Sequence, residues 1–392
     1  MTTANDTLDF YDIEQLLPES DRQVLAELRT FLREQVEPII TEHWIKGTFP
    51  HEIIAGFADL DTIGTPYRGY GLRGSSYLLD GLIAMELATS DPSISTFCGV
   101  HSGLAMGSIY ICGSDEQKDR WLPAMARMEQ IGAFALTEPD VGSAIAGGME
   151  TTAKRDGDSW ILNGQKKWIG NATFADLLIV WARDVADDNV KGFVVPRETA
   201  GVQTELIEDK ISLRAVQNAT ITLSDVRVAE DDRLQNANSF EDTAEVLRVT
   251  RAGVAWQAAG CARGAYRYAR EYALEREQFG RPIASFQLVQ EHLVTILTNT
   301  TASVTMCARL AQLQDQGHAT DSQSAMAKVF ATMRMRESVG HARELMGGNG
   351  ILLEHNVGRF VADAEAIYSY EGTREINTLI VGREITGHSA FV

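Results

Sequence analysis

Tyr370-Glu371-Gly372-Thr373 is the segment of this chain whose residue types most suggest chemistry. Thr373 is suited to cap a helix carrying Ile376, Leu379 and Ile380. Glu371 then lies outside that helix, beside a glycine, in mobile and uncluttered surroundings where a carboxylate can act as a base. Taken alone, the segment favours a solvated loop carboxylate. Leu136-Thr137-Glu138-Pro139-Asp140-Val141-Gly142-Ser143 offers backbone N–H groups and a hydroxyl to a phosphate or a polar cofactor edge, or is simply a turn between domains. Gly164-Gln165-Lys166-Lys167-Trp168-Ile169-Gly170-Asn171 sets a Trp where it can pack on a planar cofactor, although such a residue more often belongs to a core. Leu345-Met346-Gly347-Gly348-Asn349-Gly350 reads as a glycine turn that ends a helix.

One further pattern is set aside. Gly69-Tyr70-Gly71-Leu72-Arg73-Gly74 matches G-x-G-x-x-G, but a dinucleotide site needs a buried strand directly before it. Thr65-Pro66-Tyr67-Arg68 precedes instead, and Pro66 spoils a central strand. The stretch Gly64 to Gly74 is expected to be a flexible connection between helices.

The elements that must position these residues fall into three zones. From Ser20 to about Ile131 the hydrophobic period is helical: Val24, Leu28, Phe31 and Leu32 share one face, as do Leu79, Leu82, Ile83 and Leu87. From about Gly132 to Leu234 short β-rich runs are separated by turns. There Arg155-Asp156-Gly157-Asp158 predicts a hairpin, and Thr220-Ile221-Thr222-Leu223 alternates as a half-buried strand does. From about Ser239 the helical period returns. Phe286, Val289, Leu293, Ile296, Thr300, Val304, Cys307 and Ala311 form one stripe, and Met326, Val329, Phe330 and Met333 begin another. Gly260 and Gly264 permit close approach by a neighbouring helix. The expected fold class is α+β: an all-α N-terminal domain (1–131), a middle β-barrel or sandwich domain (132–238) and a C-terminal four-helix bundle (239–392).

Composition narrows the function. The 392 residues carry 35 basic against 54 acidic side chains, a formal charge of −19, with 44% hydrophobic residues. That balance argues against a nucleic-acid binder or a docking site on anionic lipid. The longest purely apolar run, Leu177 to Ala182, is far too short to insert in a membrane. Met1 to Tyr11 is polar and acidic, unlike a signal peptide, and Ser389-Ala390-Phe391-Val392 lacks a peroxisomal address. Cys98, Cys112, Cys261 and Cys307 have no metal-binding spacing and suit a reducing compartment, so a cytoplasmic protein without a metal is expected.

Taken in order, T-E-P-x-x-G-S, K-x-W-I-x-N, E-R-x-Q-F-G, G-G-N-G and Y-E-G-T resemble the acyl-CoA dehydrogenase family over nearly the whole chain, most closely the branch of glutaryl-CoA dehydrogenase and plant short-chain acyl-CoA oxidase. The resemblance implies an FAD enzyme that oxidises a short- or branched-chain acyl-CoA to the 2-enoyl-CoA. Glu371 matches the base that removes the α-proton while the β-hydrogen leaves as hydride to flavin N5. Leu136, Thr137, Ser143, Trp168 and Gly170 match positions around the flavin. Arg276, Phe279, Gln287, Glu344 and Gly348 match those holding the adenine and pyrophosphate end across a subunit boundary, and Thr373 and Glu375 match FAD contacts after the base. Ser143, Leu247, Arg251 and Gly372 match the acyl-CoA side. The implied electron acceptor is electron-transferring flavoprotein or O2, and the implied assembly a homo-oligomer, a tetramer in most members.

Three departures from the family pattern bear on this. Ala144 replaces an Asp after Gly142-Ser143. Ser95 stands where glutaryl-CoA dehydrogenases carry an arginine for the distal carboxylate, which argues against glutaryl-CoA as substrate. Gly170 replaces a Thr that reaches flavin N5, as in the oxidases of the branch, and this raises an H2O2-producing acyl-CoA oxidase as the alternative. A non-catalytic acyl-CoA-binding scaffold is the alternative of another class, and the intact Tyr-Glu-Gly-Thr argues against it.

Overall fold

A computed structural model describes residues 8–391. Most of the acidic stretch beginning at Met1, and the terminal Val392, lie outside the described residues. Helix α1 (Glu19–Phe31) starts with Glu19 and Asp21 in its first turn and buries Val24, Leu25 and Leu28. Helix α2 (Tyr77–Ser90) is capped by the Ser76 hydroxyl, which accepts from Leu79 N (3.2 Å), and is buried over most of its length. Asp91 then caps α3 (Pro92–Cys112), accepting from Ser93 N (2.8 Å). By length and composition α3 could cross a membrane, but 67% of its most apolar window is buried inside the molecule, so its apolarity is that of a core helix.

The glycine-rich stretch is ordered, contrary to the flexible connection expected of it. Arg68–Gly69 pairs with Leu72–Arg73 as a small antiparallel hairpin. Arg73 ties it down by reaching Asp21 (2.9 Å) and Asp61 (2.6 Å). It contains no buried strand and no βαβ unit, in keeping with the rejected dinucleotide reading.

The middle zone forms one seven-stranded sheet: β1 (Gly132–Ala135), β2 (Thr152–Asp156), β3 (Ser159–Ile169), β4 (Leu177–Asp184), β5 (Val190–Pro196), β6 (Val202–Leu206) and β7 (Ala219–Ala229). The order is β1-β4-β2-β3-β7-β6, with β5 along the other edge of β4. β4 runs parallel to β1 and β2; the other pairings are antiparallel. The expected hairpin joins β2 to β3, with Asp156 opposite Ser159. Irregularities at Leu162/Gly164 and Lys166/Ile169 bend β3 where the Trp168 segment begins. β4 is buried on both faces, which explains its unbroken apolar run.

Helices α4 (Phe240–Glu275), α5 (Gln287–Asp315), α6 (Asp321–Leu345), α7 (Val357–Ser369) and α8 (Arg374–Thr386) complete the chain. On α4, a Cβ at Gly260 would lie 2.3 Å from Met85 O, and one at Gly264 2.6 Å from Thr89 O, so α2 packs directly on that backbone. The α5 stripe is buried at Ile296, Thr300, Val304, Cys307 and Ala311. The α6 stripe is a correction: Met326 (47% exposed) and Met333 (39%) face outward, while Ala325, Ala327, Lys328, Ala331, Thr332, Met335 and Val339 face inward. Small residues are used there because α4 and α5 press closely on that face.

Candidate active site

Glu371 lies between the end of α7 and the start of α8. Its backbone is left-handed (φ 50°), as is that of Gly372 (φ 88°), where a Cβ would also meet Asn377 Nδ2 at 3.1 Å. The surroundings are not mobile and uncluttered, which corrects the expectation from sequence. Lys328, from the first half of α6, donates to the carbonyls of Tyr370 and Gly372. Asn377 Nδ2 donates to Gly372 O (2.8 Å) and Thr373 O (3.0 Å). The Tyr370 hydroxyl donates to Gln257 Oε1 (2.5 Å), anchoring the loop on α4. Thr373 caps α8 as expected, accepting from Ile376 N (3.3 Å). A left-handed glutamate costs energy, and these anchors hold it in place.

These contacts aim one carboxylate oxygen into a cavity without a partner. Glu371 Oε2 is buried and accepts no hydrogen bond. The cavity, about 80 Å³, lies between α2, α3 and α4, with Ile83, Leu87, Ser95, Gly103 and Val254 among its lining. Burial raises Glu371 above the ordinary carboxylate range, while the Thr250 hydroxyl, Lys328 and Arg251 pull the other way. Lys328 is held below its usual value by the same burial and by Arg251, with Glu371 opposing. Such a carboxylate, kept basic in a dry pocket, can take a proton from a carbon acid. Arg251 lies on α4 one turn from Leu247, half-buried, its Nε without a partner.

A second group assembles at the edge of the sheet. Lys167 N donates to Thr137 O (2.9 Å) and buried Lys166 bonds Leu136 O (2.9 Å) and Glu138 Oε1 (2.8 Å). Glu138 also accepts from Glu150 N (2.7 Å) and Thr151 N (2.9 Å). The Leu136–Glu138 segment is thereby fastened against β3. Trp168 is no core residue: it is 53% exposed with φ 67°, its ring beside Lys167 Nζ (5.6 Å). Gly142 and Ser143 are exposed, with nothing within 4 Å of a Cβ at Gly142. At Gly170 a Cβ would sit 3.2 Å from Val100 Cγ2, so Val100 shares the space that the glycine leaves. An exposed planar Trp, an open Gly-Ser turn and a pinned backbone make a cradle that fits a flat, polar-edged cofactor.

The remaining expected residues divide. Thr373 and Glu375 stand beside Glu371 at the start of α8. Arg276 and Phe279 (93% exposed), with Gln287, Glu344 and Gly348, lie at the far end of the bundle. Arg251 and Arg276 are separated by about 25 residues of helix, roughly 37 Å at ~1.5 Å per residue, so within one chain these five are remote from the base. Sequence reasoning gave no role to Lys328, Gln257, Lys166 or Asn377. The available signal was a lysine inside the otherwise apolar run Ala325-Met326-Ala327-Lys328-Val329-Phe330.

Three helical and sheet modules around a buried basic carboxylate define an acyl-CoA dehydrogenase fold, and the chain belongs to the acyl-CoA dehydrogenase family. Models of that family match residues 18–129 (N-terminal domain), 133–226 (middle domain) and 240–386 (C-terminal domain). Similar chains include 3-(aryl)acrylate reductase of Clostridium sporogenes, 33% identical over 91% of this chain and 96% of that one. The mitochondrial short-chain specific acyl-CoA dehydrogenase of Homo sapiens is 31% identical over 93% and 90%. The crystal structure of glutaryl-CoA dehydrogenase from Mycobacterium smegmatis superposes with a TM-score of 0.94 at 37% identity, covering 98% and 99% of the two chains. A second structure from that organism, 35% identical with the same TM-score and coverage, is described as a complex with FADH2.

Proposed function

We propose that this chain is an FAD-dependent acyl-CoA dehydrogenase that oxidises a short-chain acyl-CoA to the 2-enoyl-CoA. The observation that carries this is the unpartnered Glu371 Oε2 facing a cavity of about 80 Å³, room for only a few carbons. Glu371 would take the α-proton of the thioester, and by the family resemblance its own backbone N–H would be a donor to the developing enolate. FAD, when bound, supplies the acceptor for the hydride leaving the β-carbon. Leu136, Thr137, Ser143, Trp168 and Gly170 would hold its ring, and Thr373 and Glu375 its near contacts. Arg251 and Leu247 would border the CoA thioester, with Gly372 and Ser143. No lysine or arginine lines the acyl cavity among the described residues, so the dianionic glutaryl group finds no counter-charge, despite the likeness to glutaryl-CoA dehydrogenase.

Arg276, Phe279, Gln287, Glu344 and Gly348 lie remote from Glu371, which supports their serving the FAD of another subunit in a homo-oligomer. The outward apolar face of α5 and α6 supports the same assembly. The free, buried cysteines support a reducing, cytoplasmic setting. Electron-transferring flavoprotein is the proposed acceptor. Gly170 favours a second reading, an oxidase using O2; Val100, close to that space, weighs against it. Anaerobic titration of the yellow protein with thioesters of four to sixteen carbons, plus isobutyryl and glutaryl, tests the proposal. Rapid bleaching is expected with four to six carbons and not with sixteen or with glutaryl-CoA; bleaching only by long chains would contradict it. Readmitting air then separates acceptors, since reoxidation within seconds indicates an oxidase.

A further inference from the structure

The cavity that receives Glu371 holds polar groups the proton transfer does not use. Asp80, in the first turn of α2, and Thr62, just before the hairpin, both line it. Most polar lining groups are already engaged. Ser95 Oγ donates to Ala84 O (3.0 Å), and Ser102 Oγ accepts from Gly64 N (2.7 Å). Tyr67 OH donates to Gly103 O (3.3 Å). Gln257 accepts from Tyr370 and donates to Ser95 O (3.2 Å). Thr62, by contrast, is 4% exposed and its Oγ1 has no partner. Asp80 is half-buried and has no side-chain hydrogen bond or ion pair among the described residues, and desolvation raises it to about 7 with no charged neighbour opposing.

A buried hydroxyl is ordinarily satisfied, so the unpaired Thr62 Oγ1, sharing the lining of one substrate cavity with an unpaired carboxyl, points to a ligand group. A purely alkyl chain would seal both away from water with no partner. A carboxylate would meet Asp80 without a cation. An ammonium would bring three donors to these two groups and leave one N–H without a protein partner. A hydroxyl matches both, donating to the Asp80 carboxyl and accepting from the Thr62 hydroxyl. We propose that the substrate is a short acyl-CoA whose chain ends in a hydroxyl, recognised by Asp80 and Thr62. This rests on the reading of Glu371 as the base at the same cavity.

The test compares isosteric pairs on the FAD-loaded enzyme: 4-hydroxybutyryl-CoA against valeryl-CoA, and 5-hydroxyvaleryl-CoA against hexanoyl-CoA, with glutaryl-CoA and 4-aminobutyryl-CoA as charged comparators. In at least one pair kcat/KM is expected to favour the hydroxyacyl thioester by tenfold or more, and Thr62→Val should cut that ratio at least threefold. The ratio is read within one variant, and an unchanged flavin spectrum reports folding. The proposal is overturned if alkyl partners are used as well or better, if a charged thioester is preferred, or if Thr62→Val leaves the ratio unchanged. In each case bleaching by valeryl-CoA keeps the Glu371 reading intact. If no thioester bleaches the flavin, that reading fails and the proposal with it.

Discussion

At the scale of single residues, the site depends on a lysine as much as on its glutamate. Lys328 fastens the carbonyls on both sides of Glu371 and places a positive charge near its carboxylate. Glu371 acts as a base only when ionised, so the rate of flavin bleaching should rise with pH through a value above the ordinary carboxylate range of about 4.3. Lys328→Met removes the charge that favours ionisation. The rising limb should therefore move to higher pH, and kcat should fall more than KM rises, because the loop loses two anchors. A pH profile of single-turnover bleaching checks this; an unmoved limb with a normal kcat would show that Lys328 is only structural. Glu371 could be singled out in the sequence by its motif and family resemblance, whereas Lys328 left only the weak signal of a lysine in an apolar run, and a mid-helix lysine normally reads as solvated. Trp168 was placed at the cofactor by the resemblance and not by its residue type. Aromatics are usually buried, and only its left-handed backbone, invisible in residue type, turns it outward.

Among elements, the junction of α3 with β1 contains a titratable pin. His101 Nε2 meets Met125 O (3.0 Å), and its Nδ1 accepts from Gly132 N (3.0 Å), which leaves the ring neutral. Burial holds it down at about 4. The unfolded chain therefore takes up the proton first, at about 6.5. Its contribution to stability is present above about pH 6.5 and lost as pH falls toward 4. It amounts to at most about 3 kcal/mol, since each tenfold difference in proton affinity is worth about 1.4 kcal/mol. Urea midpoints at pH 7 and pH 5 should differ more for the native chain than for His101→Gln; equal differences would contradict the assignment. Periodicity revealed these helices and the sheet because burial repeats along them. It misassigned the Met326 face because an apolar stripe does not say whether it meets its own core or another surface. The hairpin at Arg68–Arg73 was missed for want of any period in so short a segment.

For the whole molecule, one carboxylate joins all three modules. Asp363 on α7 accepts from Trp44 Nε1 (3.0 Å) and from Leu213 N (2.6 Å), beside the buried Arg359–Asp91 pair. The site between the modules is thus held by a shared polar core as well as by apolar packing. The charge of −19 does not pair off every cation at the proposed site. Arg251 and Arg276 have no ion-pair partner among the described residues, which leaves both open to the phosphates of the proposed cofactor and substrate. The proposed homo-oligomer rests on the far-end group centred on exposed Phe279 and on the outward apolar face of α5 and α6. Sedimentation should give a mass that is a multiple of 43.0 kDa. Phe279→Ala should lower FAD retention on dilution; a monomer retaining FAD normally would contradict this arrangement.

The central claim is that Glu371 is the base, and one substitution tests it most directly. Glu371→Gln keeps the shape of the side chain and removes its basicity. The variant should bind FAD and remain yellow, and its spectrum should still be perturbed by a short acyl-CoA. Anaerobic bleaching should fall at least a hundredfold, in line with the ~10²–10⁴ that a positioned base contributes. Bleaching at the native rate would contradict the account.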